Sequence, residues 1–176
     1  MELSKRVIEI MQKNNYLEKE LCFLCVGTEK VVGDAVGPLV GSNLKKYVDI
    51  NNIKNINVIG NLDNPLMNNN IENLKNLQGI KILIDSAISN SYNVGDIVVE
   101  EKSNKLVSAF FNEKNINYDI SIKAVVANNN FNKALNLINL QNVSIKTIIN
   151  ISEKITKEMY KVIDKNCINL TKMEKI

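Results

Sequence analysis

Residues 21–26, Leu-Cys-Phe-Leu-Cys-Val, form a continuous apolar run that leads directly into residues 27–41, Gly-Thr-Glu-Lys-Val-Val-Gly-Asp-Ala-Val-Gly-Pro-Leu-Val-Gly. An unbroken apolar run bounded by turn residues reads as a strand buried on both faces. The next segment holds Gly27, Gly33, Gly37 and Gly41 out of only 7 glycines, and Pro38 out of 2 prolines. Glycine is used where backbone must turn sharply or be approached closely. The combination predicts a buried strand, a tight glycine turn, and a helix that begins near Asp34.

The same alternation continues along the chain. Apolar spacing predicts helices over Leu3 to Tyr16, Ala35 to Val48, Ile71 to Leu77, Asn130 to Ile138 and Val143 to Asp164. Strands are expected at Leu21 to Val26, Ile56 to Ile59, Ile80 to Ile84 and Asp119 to Ala127, with an edge strand at Val94 to Glu100. Strands alternating with helices argue for a three-layer α/β/α fold on a mostly parallel sheet. At 176 residues the chain is expected to form one domain, with an N-terminal helix over 1–20 and a core over 21–165. The stretch from Glu100 to Asn117 is the one candidate for a long mobile segment.

Charge narrows the partners. The 22 basic and 19 acidic residues are dispersed, and a net charge of +3 does not argue for nucleic acid. No apolar run approaches the roughly 20 residues needed to span a bilayer, and residues 1–20 lack the apolar core of a signal peptide. A cytoplasmic protein without a membrane partner is therefore expected. The pair Cys22 and Cys25 has redox-motif spacing but falls inside a strand, where residues three apart point to opposite faces. A pair of core thiols is expected.

There is no histidine, which removes the usual Ser-His-Asp and Cys-His mechanisms and most transition-metal sites. No cofactor and no metal are expected. The glycine turn matches neither the phosphate-loop pattern nor the dinucleotide fingerprint. Paired carboxylates are what is left. Two aspartates held close cannot both ionise easily, so one keeps a proton and the other serves as base. In a parallel sheet ligands bind beyond the carboxyl ends of the strands, and Asp34, Asp63 and Asp85 each follow an apolar strand by a few residues. Asp34 and Asp85 suit a pair at strand-to-helix transitions. Each also suits a helix N-cap, and Asp63 lies in Asn-Leu-Asp-Asn-Pro, an ordinary turn composition. On the residues alone both readings stay open.

Residues 25–41 also resemble the signature of the YyaC-type sporulation proteins. The resemblance continues in Gly60-Asn-Leu-Asp-Asn-Pro-Leu66, Ile84-Asp-Ser-Ala-Ile88, Tyr118-Asp-Ile-Ser-Ile122 and Leu140-Gln-Asn-Val-Ser144, and covers residues 21 to 159. That family is similar to the germination protease of spores and, more distantly, to hydrogenase maturation endopeptidases. The resemblance implies a phosphorylase/hydrolase-like α/β/α fold and a peptidase-like site on two aspartates, which fall on Asp34 and Asp85. Asp119 is carried over as a third family acid. Gly27, Thr28, Gly33, Gly37 and Pro38 would shape the substrate loop.

The maturation enzymes grip nickel in their substrate with a histidine and acids. Here no histidine exists and Ala35 stands where their motif has an acid, so a nickel-reading role is not expected. Further departures are Glu29-Lys30 in place of an arginine, Tyr118 in place of a glycine, and Phe111 to Ile116 in place of a Gly/Pro-rich segment. The resemblance implies a protein or peptide substrate, such as a spore protein, in the sporulating cell or forespore, with a homo-oligomer left open. The alternative is a non-enzymatic sporulation factor that keeps the protease-like fold and binds a protein partner through the same cleft.

Overall fold

The computed structural model describes residues 2–17, 19–67, 74, 77–101 and 117–173. Among these residues the chain forms a five-stranded, mostly parallel sheet with flanking helices, an α/β fold. The elements are α1 (Leu3–Lys13), β1 (Leu21–Cys25), α2 (Val36–Ile50), β2 (Ile56–Ile59), β3 (Ile80–Ile88), β4 (Ile97–Glu101), β5 (Ile120–Ala127), α3 (Lys133–Gln141) and α4 (Ile145–Met173). The strand order is β2-β1-β3-β5-β4; only β4 runs antiparallel, at one edge. The helix expected over Ile71 to Leu77 and the mobile segment expected between Glu100 and Asn117 fall largely outside the described residues.

Period-two alternation sorts the strand residues onto two faces. Leu21, Phe23 and Cys25 of β1, Ile82 and Ile84 of β3, and Ile120 and Ile122 of β5 point to one side. There they join Val7 and Met11 of α1, Val40 and Leu44 of α2, Leu140 of α3, and Ile155 and Met159 of α4 in one apolar cluster. On the opposite side Cys22, Leu24, Val26 and Leu83 pack with Leu66, Leu74 and Tyr118. The expected separation of the two thiols holds: Cys22 and Cys25 are free, buried, and belong to different faces. Burial raises both thiols above their ordinary range, Cys22 to about 11, so they stay neutral in the core. Among the described residues no helix is long and apolar enough to cross a membrane.

Two strand-end expectations differ from what folds. β3 was expected to end at Ile84, yet it continues through Asp85 and Ser86 to Ile88. The helix expected from Ala35 is preceded by a 3-10 turn, Val32–Asp34, and α2 itself starts at Val36. Both differences occur where the glycine turn leaves the sheet, and both govern the candidate site.

Candidate active site

The turn after β1 is built by backbone touching backbone. Gly27 has φ +131, in the region that favours glycine, and a side chain there would meet the Asp34 carbonyl. Gly37 sits in the first turn of α2, where a Cβ would collide with the Val26 backbone. These contacts draw the start of α2 onto the end of β1. Pro38 lies beside Gly27, and Gly33 is pressed against Leu140 of α3. The turn is thereby held between the sheet and α3.

Asp34 sits in this turn, 4% exposed. It caps nothing: the residue at the N-cap of α2 is Ala35, and no side chain bonds to the first turn. The Asp34 carboxylate instead folds back and accepts the Thr28 N–H at 3.0 Å, while the Asp34 carbonyl accepts the same N–H at 3.2 Å. Asp85 caps nothing either, since it lies inside β3, fully buried, with its Oδ1 accepting the Ser86 N–H at 2.7 Å. The capping reading is excluded for both residues. The placement of Asp85 at a strand-to-helix transition is corrected as well, because the chain stays extended there.

Strand register explains why the two carboxyls are close enough to influence each other. β1 pairs with β3 only as far as Cys25 with Ile84, and then β1 gives way to the glycine turn. Asp85 is the next residue of β3, so it lies beside the turn that carries Asp34. Burial, and then the negative charge of Asp85, raise the Asp34 carboxyl to about 8, against which the Thr28 N–H works. Asp34 therefore holds a proton at neutral pH while a second carboxyl sits next to it. Two buried carboxyls near one another do not both ionise easily.

The remaining expected residues are placed differently. Asp63 is exposed in the loop after β2, where its N–H donates to the Asn61 side chain at 2.9 Å. This loop reaches the same rim of the sheet and borders a cleft of about 340 Å³ lined by Gly60, Asn61, Asn64 and Pro65 among others. Asp119 is not brought to the pair. It precedes β5 at the amino end of the sheet, where its Oδ2 accepts the Lys81 N–H at 2.8 Å. In register it stands beside Lys81, four residues before Asp85, a separation of about 13 Å along the strand. Among the described residues no group of three or more His, Cys, Asp or Glu side chains is placed to hold a metal ion.

One residue at the site escaped sequence reasoning. Lys123 is fully buried in β5 and is the register partner of Asp85. Parallel partners share a face, so Asp85 has the Asp34 turn on one side and a lysine strand position on the other. The signal was a single Lys inside Ile-Ser-Ile-Lys-Ala-Val-Val-Ala, which in a Lys-rich chain reads as a solvent-facing position.

Among solved structures the chain is similar to the [NiFe] hydrogenase maturation protease HycI from Thermococcus kodakarensis KOD1. The TM-score is 0.60 at 12% identity, over 90% of this chain and 99% of that one. At this identity the likeness speaks for the fold. No curated protein matches the chain. A family model described as "Protein of unknown function (DUF1256)" matches residues 1–158. Since that match spans most of the chain, the protein belongs to the DUF1256 family.

Proposed function

We propose that the protein is an aspartate-dependent peptidase of the YyaC-type sporulation proteins, with Asp34 and Asp85 as its catalytic pair. The observation that carries this reading is a buried carboxyl, Asp34, kept protonated at neutral pH beside a second buried carboxyl, Asp85. Such a pair activates water against an amide without a metal or a histidine. The ionised Asp85 takes a proton from water as the oxygen attacks the peptide carbonyl carbon. Protonated Asp34 donates its proton to the carbonyl oxygen, which becomes the hydroxyl of the tetrahedral intermediate. Collapse returns that proton to Asp34, breaks the C–N bond, and passes the Asp85 proton to the leaving amine. The fold likeness to a protein described as a maturation protease supports a peptide substrate. The turn from Gly27 to Gly33 and the cleft beside Asn61 would guide it.

We take the sporulating cell as the setting and a spore protein as the substrate, a reading that the motif resemblance supports. The test is a cleavage assay of spore-protein and unstructured peptide substrates from pH 4 to 9. Asp34→Asn and Asp85→Asn should each lower the rate by about 10²–10⁴-fold. The rate should also fall as pH rises through about 8, where Asp34 loses its proton. A wild type that cleaves nothing over this range overturns the enzyme reading and leaves the partner-binding factor.

A further inference from the structure

We propose that Lys123 is a positioning residue of the aspartate pair: its ammonium keeps Asp85 the ionised member and leaves the shared proton on Asp34. The inference rests on the two-aspartate reading and adds to it which carboxyl is acid and which is base.

The argument starts from burial. Lys123 is one of the largest fully buried side chains in the protein, and Asp85 beside it is fully buried too. An isolated ammonium or carboxylate costs several kcal/mol to take out of water, and that cost falls when opposite charges lie close together. Adjacent strands are about 4.8 Å apart, and register partners in a parallel pair project from the same face. Asp85 and Lys123 are such partners. With one proton on Asp34, the group Asp34, Asp85 and Lys123 sums to zero charge. With no proton it carries a net negative charge in a buried place; with two it carries a net positive one. Neutrality therefore selects the singly protonated pair.

Geometry then decides where the proton sits. Asp85 lies between the Asp34 turn and β5, so the lysine position adjoins Asp85 rather than Asp34. A neighbouring cation favours the charged form of the carboxylate it adjoins. Other described titratable groups on this face are farther along the sheet, and Tyr118, just before β5, is one of them. Cys22 of β1 and Lys81 of β3 pair in register toward the amino end, with Asp119 beside Lys81. Glu100 of β4 is the register partner of Ser121, two residues before Lys123, while Val98 is the β4 partner of Lys123 itself. One Glu100 carboxylate oxygen is buried without a hydrogen bond, and register sets this acid one pleat from Lys123, whereas Asp85 is the direct partner of the lysine.

The experiment is a 13C NMR titration of the aspartate carboxyls in the full-length wild type, Lys123→Met and Lys123→Arg. Lys123→Met should move the acid transition of Asp85 upward by about one pH unit or more, and Lys123→Arg should restore it. An unmoved Asp85 transition in folded Lys123→Met overturns the proposal. If Lys123→Met does not fold, the wild type still decides. The Lys123 side-chain resonance should step at the pH where Asp85 titrates, and a featureless Lys123 resonance through that range overturns the proposal. Cleavage that both Asn variants abolish, together with an unmoved Asp85 transition, removes the role of Lys123 alone. A transition that shifts in Lys123→Met, together with a wild type that cleaves nothing, removes the peptidase reading alone.

Discussion

Asp34 and Asp119 are aspartates at opposite ends of the same sheet, and they live in different electrostatic worlds. At the amino end, the Asp119 carboxylate accepts the Lys81 N–H and shares a hydrogen bond with the Tyr16 hydroxyl. There the acid joins β3 to β5 and raises the tyrosine above its ordinary range, burial of that hydroxyl being the larger cause. At the carboxyl end, Asp34 has lost water, gained one N–H from Thr28, and been set beside Asp85. One carboxylate ties strands together, and the other is held in a state that favours a proton. Chemistry is expected where the charge is poorly accommodated, because a perturbed titration is what a general acid needs.

The comparison can be broken in three further ways. The largest effect is expected at Gly37. Gly37→Ala drives a Cβ into the Val26 backbone, which has no room to yield. It should lose about 3 kcal/mol in a denaturant titration, since the carboxyl-end turn is packed backbone to backbone. A loss under about 0.5 kcal/mol would show that the turn is looser than these contacts require.

Next is the pH dependence of stability. The folded Asp34 carboxyl is raised from 3.8 to about 8, so between these values the folded state holds a proton that the unfolded state has released. Stability of the wild type should therefore fall as pH rises through this window. Asp34→Asn cannot ionise and keeps an oxygen for the Thr28 N–H. Its thermal stability relative to wild type should grow from pH 4 to pH 8, by more than about 1 kcal/mol. A difference that stays flat with pH would remove the buried-proton account of Asp34.

The smallest effect belongs to the amino end. Asp119→Ala should cost about 1 kcal/mol by leaving the Lys81 N–H unpaired. Any peptide cleavage by the wild type should survive it within about twofold once folding is matched, because Asp119 lies roughly four residues along the strand from Asp85. Loss of cleavage in a folded Asp119→Ala would erase the distinction between the two ends.

Much of this was legible from the residues. β2 was expected at Ile56 to Ile59 and forms there. The unbroken apolar runs announced buried parallel strands, and the glycine cluster announced a turn under close approach. The length of β3 was not legible. Asp-Ser after Ile84 reads as the end of a strand, because a charge inside a sheet has no favourable partner in a local pattern. α3 was expected at Asn130 and begins at Lys133, where the Asn132 side chain accepts the N–H groups of Ala134 and Leu135. Several Asn residues precede that helix, and composition alone does not choose the cap among them.

By itself, then, the sequence determined the alternating α/β plan, the glycine turn and Asp34 within it, because periodicity and backbone sterics are local properties. Only the tertiary structure decided that Asp85 stays in the strand, that Asp119 stands at the far end, and that Lys123 is buried beside Asp85. Those outcomes depend on which strand stops first and which residues fall into register. A buried charge is tolerated only by neighbours that the chain brings from elsewhere.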